Sequence, residues 1–268
     1  MGAKSSTVTE DAVLITEQTG PVLTLTFNRP SRLNAATKDM EGRLLEACAH
    51  ANNDTTVRVV VLQGATGSKP AFMAGNDIAE FRALESADDV RKTEADAECA
   101  LVAIETLRVP VIAALDGAVV GQGALLAACS DIVIAGPDVR FGFPIARTVG
   151  NCLSTLNLSR LISFLGAPLT KTMIMRAQLL GTADLQRAGA AFATASTHEG
   201  LRDLTRRVAL EMAELAPLTL SYTKRSILQC RSTIGDNTDL VVASYLSHDS
   251  REAVSAFLNK RTPNWEGR

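Results

Sequence analysis

The longest apolar stretch of this chain, Val109 to Gly136, contains Asp116 and Asp131 and is broken by Gly117, Gly121 and Gly123. A membrane-crossing helix needs about 20 consecutive apolar residues, and these interruptions leave no room for one. The stretch reads instead as strand, turn, buried helix and strand. Val109-Pro110 ends the preceding helix, because a residue before proline is driven out of the helical region. Val111–Leu115 is then a buried strand, Gly117 to Gly123 turns the chain into an apolar helix reaching Cys129, and Asp131–Ala135 is a further strand.

The rest of the chain follows the same grammar. Leu14–Gln18 and Val22–Phe27 are strand-like runs joined by Thr19-Gly20-Pro21, a turn signal. In the second run Leu23, Leu25 and Phe27 alternate with Thr24 and Thr26. A helix is predicted over Thr37–Ala51, where Met40, Leu44, Leu45 and Cys48 share one face. Arg58–Gln63 has the consecutive β-branched residues of a strand buried on both faces. A charged helix is expected from about Asp88 to Leu107. Beyond Cys152 the pattern is mostly helical, ending in Leu201–Leu215, Leu218–Gln229, Asp239–Leu246 and Arg251–Leu258. Strand–helix units in front and helices behind predict an α/β core over residues 1–200 and a helical region over 201–268. No fixed-period repeat and no low-complexity linker is visible.

Composition excludes some functions. The chain has 268 residues and a net charge of −2, with no lysine or arginine tract, so no nucleic-acid footprint is indicated. Arg206-Arg207 reads as the wet face of a helix. Met1 to Glu10 is polar and small, unlike a secretion signal. Five cysteines are scattered without CxxC pairs or metal-ligand spacing to the three histidines. Reduced thiols, a cytoplasmic location, and neither metal nor membrane are the expectations.

Two glycine turns, each feeding a helix, are the places where chemistry can sit. The first is Ala71-Phe72-Met73-Ala74-Gly75-Asn76-Asp77-Ile78, and the second is Asp116-Gly117-Ala118-Val119-Val120-Gly121-Gln122-Gly123. Backbone N–H groups at such turns and helix starts lack intrahelical partners and attract developing negative charge. A site between the two turns can place two donors on one oxygen, which suits chemistry passing through an oxyanion. Glycines after strands also serve simply as turns. A dinucleotide fingerprint fails, because Leu126 stands where the third glycine of GxGxxG belongs. Nucleophile-elbow, P-loop and HExxH patterns are absent.

In order along the chain, the segments Phe27-Asn28-Arg29-Pro30 with Asn34-Ala35, then Ala71 to Ile78, Pro110 to Ala114, Asp116-Gly117 through Gly121-Gln122-Gly123 to Ser130-Asp131, Phe141-Gly142-Phe143-Pro144, and Arg251-Glu252 with Ala256-Phe257 and Lys260-Arg261 resemble the crotonase (enoyl-CoA hydratase/isomerase) superfamily. The resemblance runs from about Leu14 to Trp265. It implies a spiral of ββα units with a C-terminal helical trimerisation region, assembled as a homotrimer or dimer of trimers. It also implies an acyl-CoA thioester as partner, with coenzyme A as part of the substrate and no separate cofactor. Carried over by position, the oxyanion donors are the N–H groups of Asn76 and Gln122. CoA is expected along the loop from Arg29 to Asn34 and along Ala71 to Ala74, with Lys260 as a candidate for its phosphates. Asp77 is read as a helix cap and Asp131 as a structural acid. His50, His198 and His248 fall outside every motif.

The sequence departs from the family where protons are moved. The two glutamates of family hydratases correspond to Leu125 and to Ile145 (Ala146 if the loop is shifted by one), and none of these side chains can carry a proton. Gln122 stands where glycine is common, so its N–H survives as a donor only if the turn needs no positive φ there. Leu125, Ile145 and Arg147 are the acyl-pocket candidates, and Arg147 is placed to hold a substrate carboxylate, to bridge subunits or to meet a CoA phosphate. Three functions remain open: a hydratase or isomerase using another acid such as Glu80, an acyl-CoA decarboxylase, and a non-catalytic acyl-CoA binder.

Overall fold

A computed structural model of the chain describes residues 12–230 and 238–264, apart from the side chains of Glu80, Ala83, Leu240 and Ser244. The opening segment, Trp265 and the Glu80 side chain, all invoked above, therefore lie outside the described residues.

β1 (Leu14–Thr19) and β2 (Val22–Phe27) form an antiparallel hairpin. The alternation in β2 holds, with Leu23, Leu25 and Phe27 buried. Four more strands extend the sheet in parallel: β3 (Val59–Gly64), then β5 (Val111–Leu115), β7 (Ile132–Ala135) and β9 (Ala193–Thr194). A second sheet is built from three-residue strands, β4 (Ala71–Met73), β6 (Ala118–Val120) and β8 (Arg140–Gly142), also parallel. Ala118–Val120, expected as part of a turn, is thus a strand. It pairs on both sides, which no local pattern could announce.

The helices follow in a regular relation to these strands. α1 (Lys38–Asn53) begins at Thr37, whose hydroxyl accepts from the Met40 N–H. α2 (Ala87–Glu105) begins at a capping box in which Ser86 and Asp89 each accept from the other's backbone N–H. Such caps stabilise a helix by about 1 kcal/mol each. α3 (Gln122–Cys129) and α4 (Ile145–Thr148) complete the winding: β3-β4-α2, β5-β6-α3 and β7-β8-α4 each give one strand to the large sheet, one to the small sheet, and then a helix. This is the expected α/β spiral of ββα units.

α5 (Thr155–Leu165), α6 (Ala167–Met175) and α7 (Thr182–Arg187) follow, and then α8 (His198–Ala213), α9 (Pro217–Gln229), α10 (Thr238–Leu246) and α11 (His248–Leu258). Val60, Leu62, Val111, Ala113 and Val133 face the main core beneath the first helices. Val59, Val61, Ile112, Ala114 and Ile134 face the other way, against Leu201, Val208, Ala209 and Ala213 of α8. Burial on both faces explains why β3 and β5 read as unbroken apolar runs. Asp131 is the structural acid expected: it accepts from the Val111 N–H at 2.7 Å and from Lys224 Nζ at 2.7 Å. No described helix is long and apolar enough to cross a membrane.

Candidate active site

The two glycine turns meet. Gly75 has φ +92° and Gly121 has φ +56° with ψ −119°, backbone conformations that side chains with a Cβ rarely adopt. A Cβ placed on Gly121 would stand 3.3 Å from the Gly75 Cα, and one on Gly75 would stand 3.3 Å from the Val120 carbonyl oxygen. Close backbone approach is therefore what both glycines permit, and it brings the following residues, Asn76 and Gln122, to one place. The positive φ falls on Gly121 and not on Gln122, which opens α3. Gln122 therefore keeps its N–H as a donor without strain. The bonds around the first turn run Ala36 N–H to Gly75 O and Asp77 N–H to Ala36 O, and none of them engages the Asn76 N–H.

Both donors line a cleft of about 770 Å³ that is open to solvent at its mouth. Ala74, Leu101, Leu125, Phe143 and Ile145 supply its apolar wall. An apolar wall around a few convergent polar groups is the usual form of a small-molecule site. Leu125 and Ile145 hold the positions at which the resemblance expects glutamates.

Acids enter from another wall. Glu94 and Glu98, one turn apart on α2, both line the cleft. Tyr245 of α10 donates its hydroxyl to Glu94 Oε1 at 2.8 Å. Burial pushes the Glu94 carboxyl above the ordinary carboxylate range; the Tyr245 hydrogen bond opposes that shift and the Glu98 charge adds to it. Burial likewise raises the Tyr245 phenol well above its usual range, so it stays a donor. Glu98 is committed elsewhere. Fully buried Arg160 reaches it through both terminal nitrogens, at 2.7 and 2.5 Å, and also bonds Glu105 at 2.7 Å and Asn157 Oδ1 at 2.6 Å. The buried Oδ1 atoms of Asn76 and Asn151 have no hydrogen-bond partner among the described residues, and both residues line the cleft. An unsatisfied buried acceptor calls for a donor from a ligand or water.

The sequence analysis missed Glu94, naming Glu80 as the spare acid. A signal was present: Val90, Ala97, Leu101 and Ile104 mark the inward face of α2, and Glu94, Glu98 and Glu105 fall on that same stripe.

The structure brings together Asn76, Gln122, Leu125, Ile145 and Ala74, and leaves the other candidates apart. Arg147 is exposed, donates to the Arg176 carbonyl at 3.3 Å, and is not part of the cleft lining, so the idea that it points into the acyl pocket is not met. Arg29 holds the Ala35 carbonyl at 2.6 Å and pairs with Asp77 at 3.3 Å. Asp77 itself caps the 3-10 helix Ile78–Ala83 through Oδ1. Asn34 is wholly buried, accepting from the Arg29 N–H and donating to the Ala65 and Ala71 carbonyls, with Ala71 buried in β4. Its side chain is a staple between loop and strand. Lys260 is exposed beyond α11. None of the three histidines lines the cleft; His198 sits between Asp116 and Asp138.

Residues 17–268 match the sequence profile of the enoyl-CoA hydratase/isomerase family. The chain belongs to that family. It is 31% identical over 264 residues to the 2,3-dehydroadipyl-CoA hydratase of Escherichia coli (strain K12), covering 95% of this chain and 99% of that protein. It is 30% identical over 258 residues to the short-chain-enoyl-CoA hydratase of Clostridium acetobutylicum, covering 92% and 95%. Among solved structures, methylmalonyl-CoA decarboxylase in complex with 2-nitronate-propionyl-CoA superposes with a TM-score of 0.86 at 25% identity, covering 96% and 99%. The chain is thus an acyl-CoA-processing member of the enoyl-CoA hydratase/isomerase family.

Proposed function

We propose that this protein hydrates an enoyl-CoA with Glu94 as its proton carrier. Water adds to Cβ and gives its proton to the Glu94 carboxylate. The electron pair moves onto the thioester oxygen, held by the Asn76 and Gln122 N–H groups, and the same carboxyl then delivers the proton to Cα. The observation carrying this reading is that Glu94, an acid with a raised pKa, shares one cleft with both donors. A raised carboxyl pKa makes its carboxylate a stronger base toward water than an ordinary one, while the acid form still returns a proton to an enolate. The hydratase names of the relatives point the same way. The CoA portion would follow the Arg29–Asn34 loop and Ala71–Ala74 through backbone groups, with Lys260 serving a phosphate in a cytoplasmic homotrimer or dimer of trimers. No cofactor beyond the CoA of the substrate is required.

The test is mass spectrometry of crotonyl-CoA incubated in heavy water with the wild type, Glu94→Gln and a protein-free blank. The expected result is a hydrated, deuterated product whose rate falls about 10²–10⁴-fold in the variant, the usual worth of a positioned acid or base. A variant as fast as the wild type would sink the role of Glu94.

Decarboxylation is the second reading, favoured by apolar Leu125 and Ile145 and by the decarboxylase neighbour. Loss of CO₂ leaves the same enolate and needs no base, and apolar walls disfavour the substrate carboxylate relative to the transition state. Release of CO₂ from methylmalonyl-CoA without hydration of crotonyl-CoA would establish it. Tight thioester binding with neither reaction would leave a binder.

A further inference from the structure

The cleft has a second chamber behind it. Phe81 and Tyr245 stand edge to face with ring centroids 5.5 Å apart, and among the described residues these two line both the cleft and a neighbouring pocket that is open to solvent. The partition is tied directly to the site. Phe81 rides on the 3-10 helix that starts two residues after Asn76, while the Tyr245 hydroxyl holds Glu94. An acyl chain anchored at the two N–H groups and lying along Leu101, Leu125 and Ile145 would share this cleft with the two rings.

The chamber beyond is different in kind. Its lining includes Arg82 and Arg251 with Ser255, and Glu85 is the one acid among the described residues that line it. Leu84 and Val254 supply apolar surface between the charges. Both guanidiniums are exposed side chains without an ion-pair partner among the described residues. Chemistry that suits an apolar cleft wall adjoined, across two rings, by a lining with two arginines is a hydrocarbon chain terminated by an anion. Arginine's planar fork matches a carboxylate in particular.

We infer that this second chamber is an ω-carboxylate subsite, and that the protein's preferred ligands are CoA thioesters of dicarboxylic acids whose far carboxylate is held by Arg82 and Arg251. The inference rests on the acyl-CoA reading of the first cleft. It assigns to Arg251 and Arg82 the carboxylate-holding part that Arg147, turned toward the Arg176 carbonyl, does not play.

The test uses saturated thioesters, so that binding is read without turnover. Isothermal titration compares hexanoyl-, octanoyl- and decanoyl-CoA with the dicarboxylic adipoyl-, suberoyl- and sebacoyl-CoA of equal length. For at least one length the dicarboxylic thioester is expected to bind about tenfold tighter, as one charge-assisted contact allows. That preference should shrink at high salt and vanish in Arg82→Gln/Arg251→Gln. Arg147→Gln should keep it, and thermal unfolding of the double variant should match the wild type. No preference at any length, or a preference surviving the double variant, would overturn the subsite while leaving the first cleft intact, provided the methyl-ended thioesters still bind. Failure of every thioester to bind would instead remove the acyl-CoA reading itself, and the subsite with it.

Discussion

Gly121→Ala tests the meeting of the two turns. At φ +56° and ψ −119° the residue occupies a region essentially reserved for glycine. A non-glycine residue held in such a sparsely populated region costs about 1–3 kcal/mol. The new Cβ would also press on the Gly75 Cα from 3.3 Å, tighter than most real contacts, and both sides of that contact are backbone with little freedom to yield. Taking about 2 kcal/mol as the sum, and about 2–4 °C per kcal/mol for a chain of this size, the melting temperature should fall by about 4–8 °C. Relief of the contact must move one turn away from the other and carry Asn76 or Gln122 with it. An oxyanion donor is worth about 10²–10³ in kcat, so turnover should fall about 100-fold, with the Kd of a saturated acyl-CoA little changed. Gly20→Ala is the control: φ is +59° there too, but nothing lies within 4 Å of the added Cβ. It should lose stability and no activity. Calorimetry and steady-state kinetics on both variants decide the matter. A Gly121→Ala enzyme with kcat within twofold of the wild type would refute the claim that this contact sets the donor pair.

Further outcomes follow from the buried polar groups. Because the Glu94 pKa is raised on folding, the folded state holds more protons than the unfolded one, and stability drains away as pH rises from the unfolded toward the folded pKa. Glu94→Gln should therefore be more stable than the wild type at pH 8 and gain less at pH 4, as differential scanning at both pH values will show. Arg160→Met leaves Glu98 and Glu105 without their cation and should cost about 3–5 kcal/mol in urea unfolding. Partial recovery is expected on adding Glu105→Gln. Asn34→Ala removes three hydrogen bonds that join the Arg29 loop to β4 and should cost about 2–4 kcal/mol, at about 1 kcal/mol or slightly more each. Tyr245→Phe should shift the acid limb of the kcat profile upward, since the hydroxyl opposes the raised Glu94 pKa.

How much of this was legible depended on the range of the interactions involved. β2, β3 and β5 announce themselves because burial stamps a pattern on every residue of a five- or six-residue strand. α1 and α2 start where Thr37 and Ser86 offer caps, a signal confined to four residues. By contrast β4, β6 and β8 have three residues each, too few for any periodicity, and exist because they pair with one another across long stretches of chain. The spiral repeat is invisible for a related reason. β3 begins at Val59, β5 at Val111 and β7 at Ile132, so successive windings have unequal lengths. At the site, the glycine spacing made the meeting of the two turns readable, and Asn76, Gln122, Leu125 and Ile145 do line one cleft. The acid proposed in place of the expected glutamates was hidden in plain composition. Glu94 sits among many charges on α2, and only its partner Tyr245, 151 residues away, marks it as different.

That long-range hydrogen bond divides the labour of the site along the chain. In the proposed reaction the thioester is polarised by two turns wound early in the spiral, whereas Glu94 is held by a tyrosine near the far end. Replacing α10 and α11 with the equivalent region of another family member would exchange the Tyr245 partner of Glu94 and the Tyr245 side of the ring pair with Phe81 together. Chimeras that exchange the chain from α10 onward are the natural place to watch the acid's surroundings change while Asn76 and Gln122 stay in their own turns.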